Sequence, residues 1–136
     1  MLCDTSVLVD IDRGGVERRV TKLDETGRHA ISAVTVTELR LGVNKRYERG
    51  TDAYGDALDA LDRLLARFEI VDVSRSAATV AADLIDDLRR RGEPLHDLHD
   101  VYVAACARAT DRTVLTRNVA DFERIDEVAV LDWAEY

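Results

Sequence analysis

The chain has 136 residues, 46% of them hydrophobic, and a formal net charge of −8. This length allows one domain with a single sizeable core. No apolar stretch approaches the roughly 18 residues of a membrane span, and the start of the chain lacks the pattern of a secretory signal. We therefore expect a cytoplasmic protein with no membrane association. The acidic charge argues against a simple nucleic-acid coat protein, but it is compatible with an enzyme that binds phosphates through divalent cations.

Strands alternate with helices along the whole sequence. In chain order, the pattern predicts a strand at 1–3, a capped turn or short helix at 7–11, a helix at 16–25, a strand at 29–33, a helical hairpin at about 35–68, a strand at 69–73, a helix from 74 or 76 to 91, a helix from 97, a strand at 113–116, a helical turn at 121–125 and a strand at 128–131. This alternation predicts a single α/β domain over 1–136, a three-layer sandwich with a mainly parallel sheet and helices on both faces. Cys3 and Cys106 lie in apolar surroundings and are expected to be free core residues.

The segment 92–105, G-E-P-L-H-D-L-H-D-V-Y-V-A-A, leads into an apolar helix. Pro94 tolerates a helix only at its first turn, so the helix is expected to begin at Asp97, which can cap it. Asp100, three residues later, lies on the same helical face, roughly 5 to 6 Å away at Cβ. The helix beyond has almost no polar side, which predicts a buried helix with acids at its mouth. Helix capping alone would also explain this pair.

Further polar residues are expected at the same edge of the sheet. Asp4 follows the first strand and Asn118 follows a later one, and ligands of parallel sheets bind beyond the carboxyl ends of the strands. Capping again offers an alternative for each acid: Asp4 could cap the turn after its strand, and Asp121 its own short helix. Glu38 could form a capping box with a threonine at 35. Capping does not explain why each of these acids is flanked by residues that should be buried.

Four motifs in this order resemble the PIN-domain ribonucleases, and among them the VapC-type toxins of toxin–antitoxin pairs. They are D-T-S-V-L-V-D at 4–10, A-V-T-V-T-E-L-R-L-G at 33–42, D-V-Y-V-A-A at 100–105 and T-R-N-V-A-D-F at 116–122. The resemblance covers essentially the whole chain. It implies a metal-dependent endoribonuclease that hydrolyses RNA phosphodiester bonds as the toxin of such a pair.

The resemblance also implies a set of site residues. Asp4, Glu38 and Asp100 match the metal-site and catalytic acids of the family, and Asn118 or Asp121 matches the fourth position. Asp97 stands where some members carry an additional acid, whereas Thr5 or Ser6 resembles the small polar residue that lines the pocket. Arg117, or Arg40 beside Glu38, could hold the backbone phosphate, although Arg40 is rather expected at the surface or facing a partner. The matched residues are Asp4, Thr5, Ser6, Glu38, Asp97, Asp100, Arg117, Asn118 and Asp121.

Converging carboxylates repel one another, so their pKa values rise unless a cation neutralises them. Hard divalent cations prefer oxygen ligands, which makes Mg²⁺ or Mn²⁺ the expected cofactor. A zinc site could begin with His96 and Asp100, four residues apart on a helix. Besides His99, only His29 could supply another imidazole ligand, and no cysteine stands at ligand spacing. The sequence therefore favours magnesium over zinc. The histidines are expected to flank the cleft or to occupy the helix start.

The resemblance implies RNA as substrate, a cognate antitoxin protein as partner and a homodimer, with the hairpin at about 35–68 as the expected protein-binding surface. Two other classes remain. A receiver-like phosphoacceptor domain would need an adjacent acid pair after the first strand and a late lysine, which are missing. A catalytically silent PIN-like scaffold that binds a protein partner would be free to lose acids, yet Asp4, Glu38 and Asp100 are all present, which favours activity.

Overall fold

A parallel sheet organises the computed structural model, which describes residues 1–93 and 97–136. The described strands are β1 (Leu2–Cys3), β2 (Ala30–Ser32), β3 (Glu69–Val71), β4 (Val114–Thr116) and β5 (Val130–Asp132). They form a five-stranded sheet in the order β3-β2-β1-β4-β5, and every pairing between neighbours is parallel. The mainly parallel sheet expected from the sequence is confirmed.

Helices cover both faces of this sheet. Those described are α1 (Thr5–Arg13), α2 (Glu17–Glu25), α3 (Ala33–Arg46), α4 (Asp52–Leu65), α5 (Arg75–Arg90), α6 (Leu98–Ala109) and α7 (Val119–Glu123). One core cluster joins the sheet to α5, α6 and α7 through residues such as Leu84, Val103 and Phe122. The other joins it to α1 to α4 through residues such as Leu8 and Leu23. The three-layer α/β sandwich is therefore confirmed.

Side-chain caps fix where several of these helices begin. Asp97 caps α6 by accepting a 2.8 Å hydrogen bond from the His99 backbone N–H, as the sequence predicts. The oxygen of the Ser32 side chain accepts from the Val34 backbone N–H at 3.1 Å, so α3 begins at Ala33. The expected start of this helix near Thr35 is wrong by one turn or less, because a buried serine at the end of β2 supplies the cap first.

The remaining differences concern short elements. α1 is a full helix from Thr5 to Arg13, and α7 begins at Val119, two residues before the predicted helical turn. α3 and α4 pack against each other across the segment predicted to be a hairpin.

Cys3 and Cys106 are free and buried, as expected, and burial raises the pKa of the Cys3 thiol to about 12. Across residues 1–93 and 97–136, no helix is long and apolar enough to cross a membrane.

The order of the strands determines where a site can form. From β1 the chain moves to β2 and β3 on one side, whereas β4 and β5 lie on the other side of β1. The crossover connections therefore diverge between β1 and β4. In open parallel sheets, this divergence opens a crevice beyond the carboxyl ends of the two strands, where ligands bind.

Candidate active site

Several helices begin at the carboxyl edge of the sheet. Only Asp4 separates β1 from α1, α3 follows β2 directly, and α7 begins three residues after β4, at Val119. α6 leads back into β4, so its N-terminus also lies at this edge. Helix N-termini carry unpaired N–H groups and a partial positive charge, which stabilise acidic side chains and favour bound anions.

Asp4 lies in the crevice, directly after β1, with only 3% of its surface exposed. Its Oδ2 accepts hydrogen bonds from the Ser6 hydroxyl at 2.8 Å and the Thr116 hydroxyl at 2.9 Å. The Ser6 backbone N–H lies 3.5 Å from the same oxygen, so Asp4 also caps α1. All three contacts from the described residues go to Oδ2, which leaves Oδ1 available to a ligand.

Ser6 and Thr116 hold the two strand ends together. The Ser6 hydroxyl accepts from the Arg117 backbone N–H at 3.1 Å, and the Thr116 hydroxyl accepts from the Asn118 backbone N–H at 2.9 Å. Both side chains are buried and both donate to Asp4. Ser6 is among the site residues expected from the sequence, whereas Thr116 is not. The available signal was its position as the last residue of a strand, next to the Arg-Asn turn.

Glu38 lies on α3 and is half-buried beside α1. Its Oε1 accepts a 2.9 Å hydrogen bond from the Thr5 hydroxyl, which also lies 3.0 Å from the buried Thr35 hydroxyl. The predicted capping box of Thr35 and Glu38 is wrong, because Ser32 is the N-cap and Thr35 is in the first turn. Burial raises the pKa of Glu38, and nearby acids add to the rise, whereas the Thr5 hydrogen bond and His99 oppose it.

Asp100 lies in the first turn of α6. Its pKa is raised to about 7, first by burial and then by the negative charges of Asp4, Asp97, Asp121 and Glu38. Asp97 belongs to the start of the same helix, whereas Asp4, Glu38 and Asp121 come from other elements. Capping of α6 involves none of these three acids, so their influence on Asp100 favours a shared site.

Asn118 and Asp121 lie at the rim on α7, and both are exposed. Asn118 is the N-cap residue of α7 without a side-chain capping bond, and Asp121 is in the first turn. The suggestion that Asp121 caps its own helix is wrong, because the helix begins two residues earlier. The charge of Asp121 contributes to the raised pKa of Asp100, so Asp121 faces the same acid group. Which of the two fills the fourth site position stays a prediction.

The two arginines considered for phosphate binding have protein partners. Arg117 Nη1 lies 2.6 Å from Asp10 Oδ1 on α1. Arg40 Nη2 lies 3.4 Å from the Tyr54 hydroxyl, across α3 and α4. Arg117 therefore stands beside the rim with its guanidinium held by α1, and Arg40 belongs to the α3–α4 surface.

His99, the second residue of α6, is the histidine that lies beside the acids. Its Nδ1 lies 3.3 Å from Asp97 Oδ1 and 3.6 Å from Glu38 Oε2. The ligand atoms of these three residues all lie within 4.8 Å of one another.

Two predictions from the sequence concern positions 94 and 96: the helix-breaking role of Pro94, and the zinc alternative built on His96 and Asp100. Both positions lie outside the described residues.

A groove of about 430 Å³ extends from the acids along α1, α3 and α4. Thr5 and Glu38 line one end of it, and Arg13, Arg46 and Tyr47 are also in its wall. Apolar side chains make up much of the rest, namely Val9, Leu39, Val43, Ala57, Ala60, Leu61 and Leu64. The groove thus joins the acidic site to an apolar channel with two basic side chains.

The donor chemistry of the site fits a hard divalent cation. Asp4, Glu38 and Asp100 offer carboxylate oxygens, and burial raises the pKa values of the last two. A divalent cation would replace the protons that such crowded acids otherwise take up. Oxygen-rich sites of this kind suit Mg²⁺ or Mn²⁺.

Comparisons with known proteins identify the family of the chain. The family model of the PIN domain matches residues 1–128. The chain is 26% identical to ribonuclease VapC of Rickettsia bellii over 96% of its own length and 94% of that protein. It is 29% identical to the tRNA(fMet)-specific endonuclease VapC of Shigella flexneri over 79% and 77% of the two chains. It also resembles the solved structure of VapBC-5 of Mycobacterium tuberculosis, a member of the VapBC family of toxin–antitoxin systems, with a TM-score of 0.70, 26% identity and 96% of both chains covered.

The matched region contains the strands β1 to β4 and the acids at positions 4, 38, 97, 100 and 121. Sequence motifs, sheet order and relatives thus lead to the same conclusion. The chain belongs to the PIN-domain family and is of the VapC type.

Proposed function

We propose that this chain is a metal-dependent endoribonuclease, which hydrolyses RNA phosphodiester bonds as the toxin of a toxin–antitoxin module. The observation that carries the proposal is the position of Asp4, Glu38 and Asp100 near the carboxyl ends of β1 and β4, where the crossover connections diverge, together with the contribution of Asp4 and Glu38 to the raised pKa of Asp100. The names of the relatives, a ribonuclease and a tRNA endonuclease, support RNA as the substrate.

Asp4, Glu38 and Asp100 would hold Mg²⁺ or Mn²⁺. When bound, such a cation lowers the pKa of an attacking water and stabilises charge on the phosphate and leaving oxygens. Asn118 or Asp121 completes the site at the rim, and Asp97 adds negative charge at the start of α6. Asp4 would offer Oδ1 to the ion, because Oδ2 already accepts hydrogen bonds from Ser6 and Thr116.

Other residues of the chain orient these acids and receive the substrate. The Thr5 hydroxyl donates a hydrogen bond to Oε1 of Glu38, and the Ser6 hydroxyl donates one to Asp4. Both polar residues predicted to line the pocket therefore orient acids of the site. The N-termini of α1, α3 and α7 face the edge where the RNA phosphate would bind, which favours an anion there. Arg117 would bind the neighbouring backbone phosphate after leaving Asp10, its partner at 2.6 Å.

A cognate antitoxin protein is the proposed partner, in line with the toxin–antitoxin system to which the Mycobacterium tuberculosis relative belongs. The groove along α1, α3 and α4 offers an apolar channel that ends at Thr5 and Glu38. A segment of the antitoxin in this groove would reach the acidic site, and a basic residue on it would compete with the metal. Gly42→Phe, which fills the groove, should weaken this binding, whereas Gly55→Phe on α4 should not.

We also propose that the protein is a cytoplasmic homodimer. Leu41 on α3 is a large apolar residue with 45% of its surface exposed, in the segment expected to bind protein. Sedimentation equilibrium at high protein concentration tests this directly. A monomer under those conditions would exclude the dimer, and Leu41→Glu should shift a dimer towards monomer.

Cleavage of a labelled mixture of structured and single-stranded RNA tests the enzymatic proposal. Wild-type protein should cut RNA with Mg²⁺ or Mn²⁺ and stop when the metal is chelated. Asp4→Asn and Asp100→Asn should lose at least about 100-fold in rate, the scale expected when one group that stabilises transition-state charge is removed. Asp83→Asn, which changes an exposed acid on α5, should cut at the wild-type rate.

Two results would contradict the proposal. One is a folded wild-type protein that binds no divalent cation and cuts no RNA, in which case the partner-binding scaffold becomes the leading account. The other is equal cleavage by wild type, Asp4→Asn and Asp100→Asn, which would show that the activity does not come from these acids.

A further inference from the structure

The His99 imidazole stands between two carboxylates from different elements. Nδ1 lies 3.3 Å from Asp97 Oδ1, at the N-cap of α6, and 3.6 Å from Glu38 Oε2, on α3. The ligand atoms of the two carboxylates lie within 4.8 Å of each other and of the imidazole nitrogen. One nitrogen and two oxygens are therefore close enough together to be ligands of a single ion.

These separations fit the coordination of one metal ion. Bonds of about 2.1 Å place neighbouring ligand atoms about 3.4 Å apart in a tetrahedral site and about 3.0 Å apart in an octahedral one. The two nitrogen–oxygen distances, 3.3 and 3.6 Å, are close to these values. The distance between the carboxylates is at most 4.8 Å. A cation would draw these two negative groups together, because it removes their repulsion.

Each of the two carboxylates accepts a hydrogen bond that restricts its orientation. The Thr5 hydroxyl holds Oε1 of Glu38, which leaves Oε2 facing His99. The backbone N–H of His99 holds Oδ1 of Asp97 at 2.8 Å, which fixes that carboxylate next to the imidazole of the same residue. Such supporting bonds are characteristic of built metal sites and contribute to their affinity.

We propose that Glu38, Asp97 and His99 form a mixed nitrogen and oxygen subsite for a first-row transition-metal ion such as Co²⁺ or Zn²⁺. Imidazole nitrogen suits these ions, whereas Mg²⁺ prefers oxygen ligands alone. His99 thereby sets which metal the site prefers. The proposal builds on the proposed ribonuclease, because Glu38 is shared between this subsite and the site of Asp4 and Asp100.

Nuclear magnetic resonance of the imidazole nitrogens in the wild-type protein tests the subsite without an activity assay. Zn²⁺ is the probe because it is diamagnetic. Addition of one equivalent should shift the Nδ1 resonance of His99 strongly. His29 serves as the internal control, since it is buried and its ring nitrogens contact the Met1 amino group, Thr26 and the Leu23 carbonyl. Its resonances should not move.

A second measurement compares metal affinities by calorimetry. His99→Gln should weaken Co²⁺ binding at least about tenfold, a scale typical of a lost metal-site interaction, and change Mg²⁺ binding less than threefold. Unshifted His99 resonances at saturating Zn²⁺ would overturn the proposal. So would equal fold-changes for Co²⁺ and Mg²⁺ in His99→Gln, which would leave His99 as the ionic partner of Glu38 and Asp97.

The ribonuclease proposal is decided separately, by Mg²⁺-dependent cleavage with the wild-type protein. If the wild type cuts RNA but Zn²⁺ does not shift the His99 resonances, the ribonuclease proposal stands and the subsite proposal fails. If the wild type binds Zn²⁺ through His99 but cuts no RNA with Mg²⁺ or Mn²⁺, the subsite proposal stands and the ribonuclease proposal fails.

Discussion

The Thr116 hydroxyl donates a 2.9 Å hydrogen bond to Oδ2 of Asp4, and both residues are buried. The two residues stand at the carboxyl ends of β4 and β1, which pair in parallel, although they are 112 positions apart in the sequence. This bond fixes the orientation of the acid before any ligand binds. Thr116 is therefore a positioning residue of the candidate site.

Replacement of Thr116 by valine removes that bond and keeps the shape of the side chain. The variant should bind Mn²⁺ about tenfold more weakly, the scale for the loss of a residue that orients a metal ligand. Its free energy of unfolding should fall by about 1 to 3 kcal/mol, since the buried Asp4 loses a donor. Calorimetry measures the first effect and urea unfolding the second.

Thr113→Val provides the matched control, because Thr113 immediately precedes β4 and its hydroxyl forms no hydrogen bond with any residue the structure describes. This variant should bind Mn²⁺ like wild type. Equal metal affinities for Thr116→Val and wild type would show that the bond to Asp4 has no positioning role.

Asp100 makes the stability of the metal-free protein depend on pH. Its pKa is raised from 3.8 to about 7, first by burial and then by the acids around it. The folded protein therefore holds this proton more tightly than the unfolded chain does. The resulting stabilisation is complete below about pH 3.8 and is lost as the pH rises towards about 7. Asp100→Asn removes the ionisation, so its stability relative to wild type should increase from acidic to slightly alkaline pH.

Thermal unfolding in the presence of a chelator measures this effect, at about pH 4.5 and about pH 8. The melting temperature of Asp100→Asn minus that of wild type should be clearly larger at the higher pH. Mg²⁺ should reverse the order at the higher pH, because only wild type retains the full set of acids. Asp83→Asn should show no such trend. A difference between Asp100→Asn and wild type that does not change with pH would mean that Asp100 titrates normally.

Two glycines inside helices provide a test of the fold that is independent of the chemistry. Gly42 in α3 and Gly55 in α4 have no heavy atom within 4 Å of an added Cβ. Alanine at either position should stabilise the protein by about 0.5 to 1 kcal/mol, because glycine is a poor helix former. Urea unfolding of the single and double variants measures the two effects, which should add.

Gly27 is the contrasting position. It adopts a φ of +108° after α2, a backbone conformation that side chains rarely adopt, so Gly27→Ala should destabilise the protein. Stabilisation by all three alanines, or by none, would mean that the helices α3 and α4 do not contain Gly42 and Gly55 as described.

The sequence predicts the sheet well because the sheet depends on local patterns. Short apolar runs alternate with helical periods, and this alternation predicts the parallel sheet. Asp97 is recognisable as an N-cap since a proline precedes it and an apolar helix follows. Start positions are less predictable where two residues can cap. Ser32 and Thr35 compete for the start of α3, and only the end of β2 decides in favour of Ser32.

Contacts between distant parts of the chain could not be predicted in this way. Thr116 is an ordinary strand residue until β4 is placed beside β1. Arg117 looks like a free phosphate ligand until α1 brings Asp10 to within 2.6 Å of it. His99 becomes a ligand candidate only when α3 carries Glu38 next to the start of α6. Each of these roles depends on a partner at least 61 positions away, from Glu38 to His99 at the closest.

The chemical nature of the new ends in cleaved RNA tests the central claim most directly. Water activated at a carboxylate-bound cation should attack the phosphate itself, without participation of the ribose 2′-hydroxyl. We expect wild type to give, with Mg²⁺, fragments with 5′-phosphate and 3′-hydroxyl ends, and Asp4→Asn to give none. Fragments with 2′,3′-cyclic phosphate ends, formed equally in the presence of a chelator or by Asp4→Asn, would contradict the account.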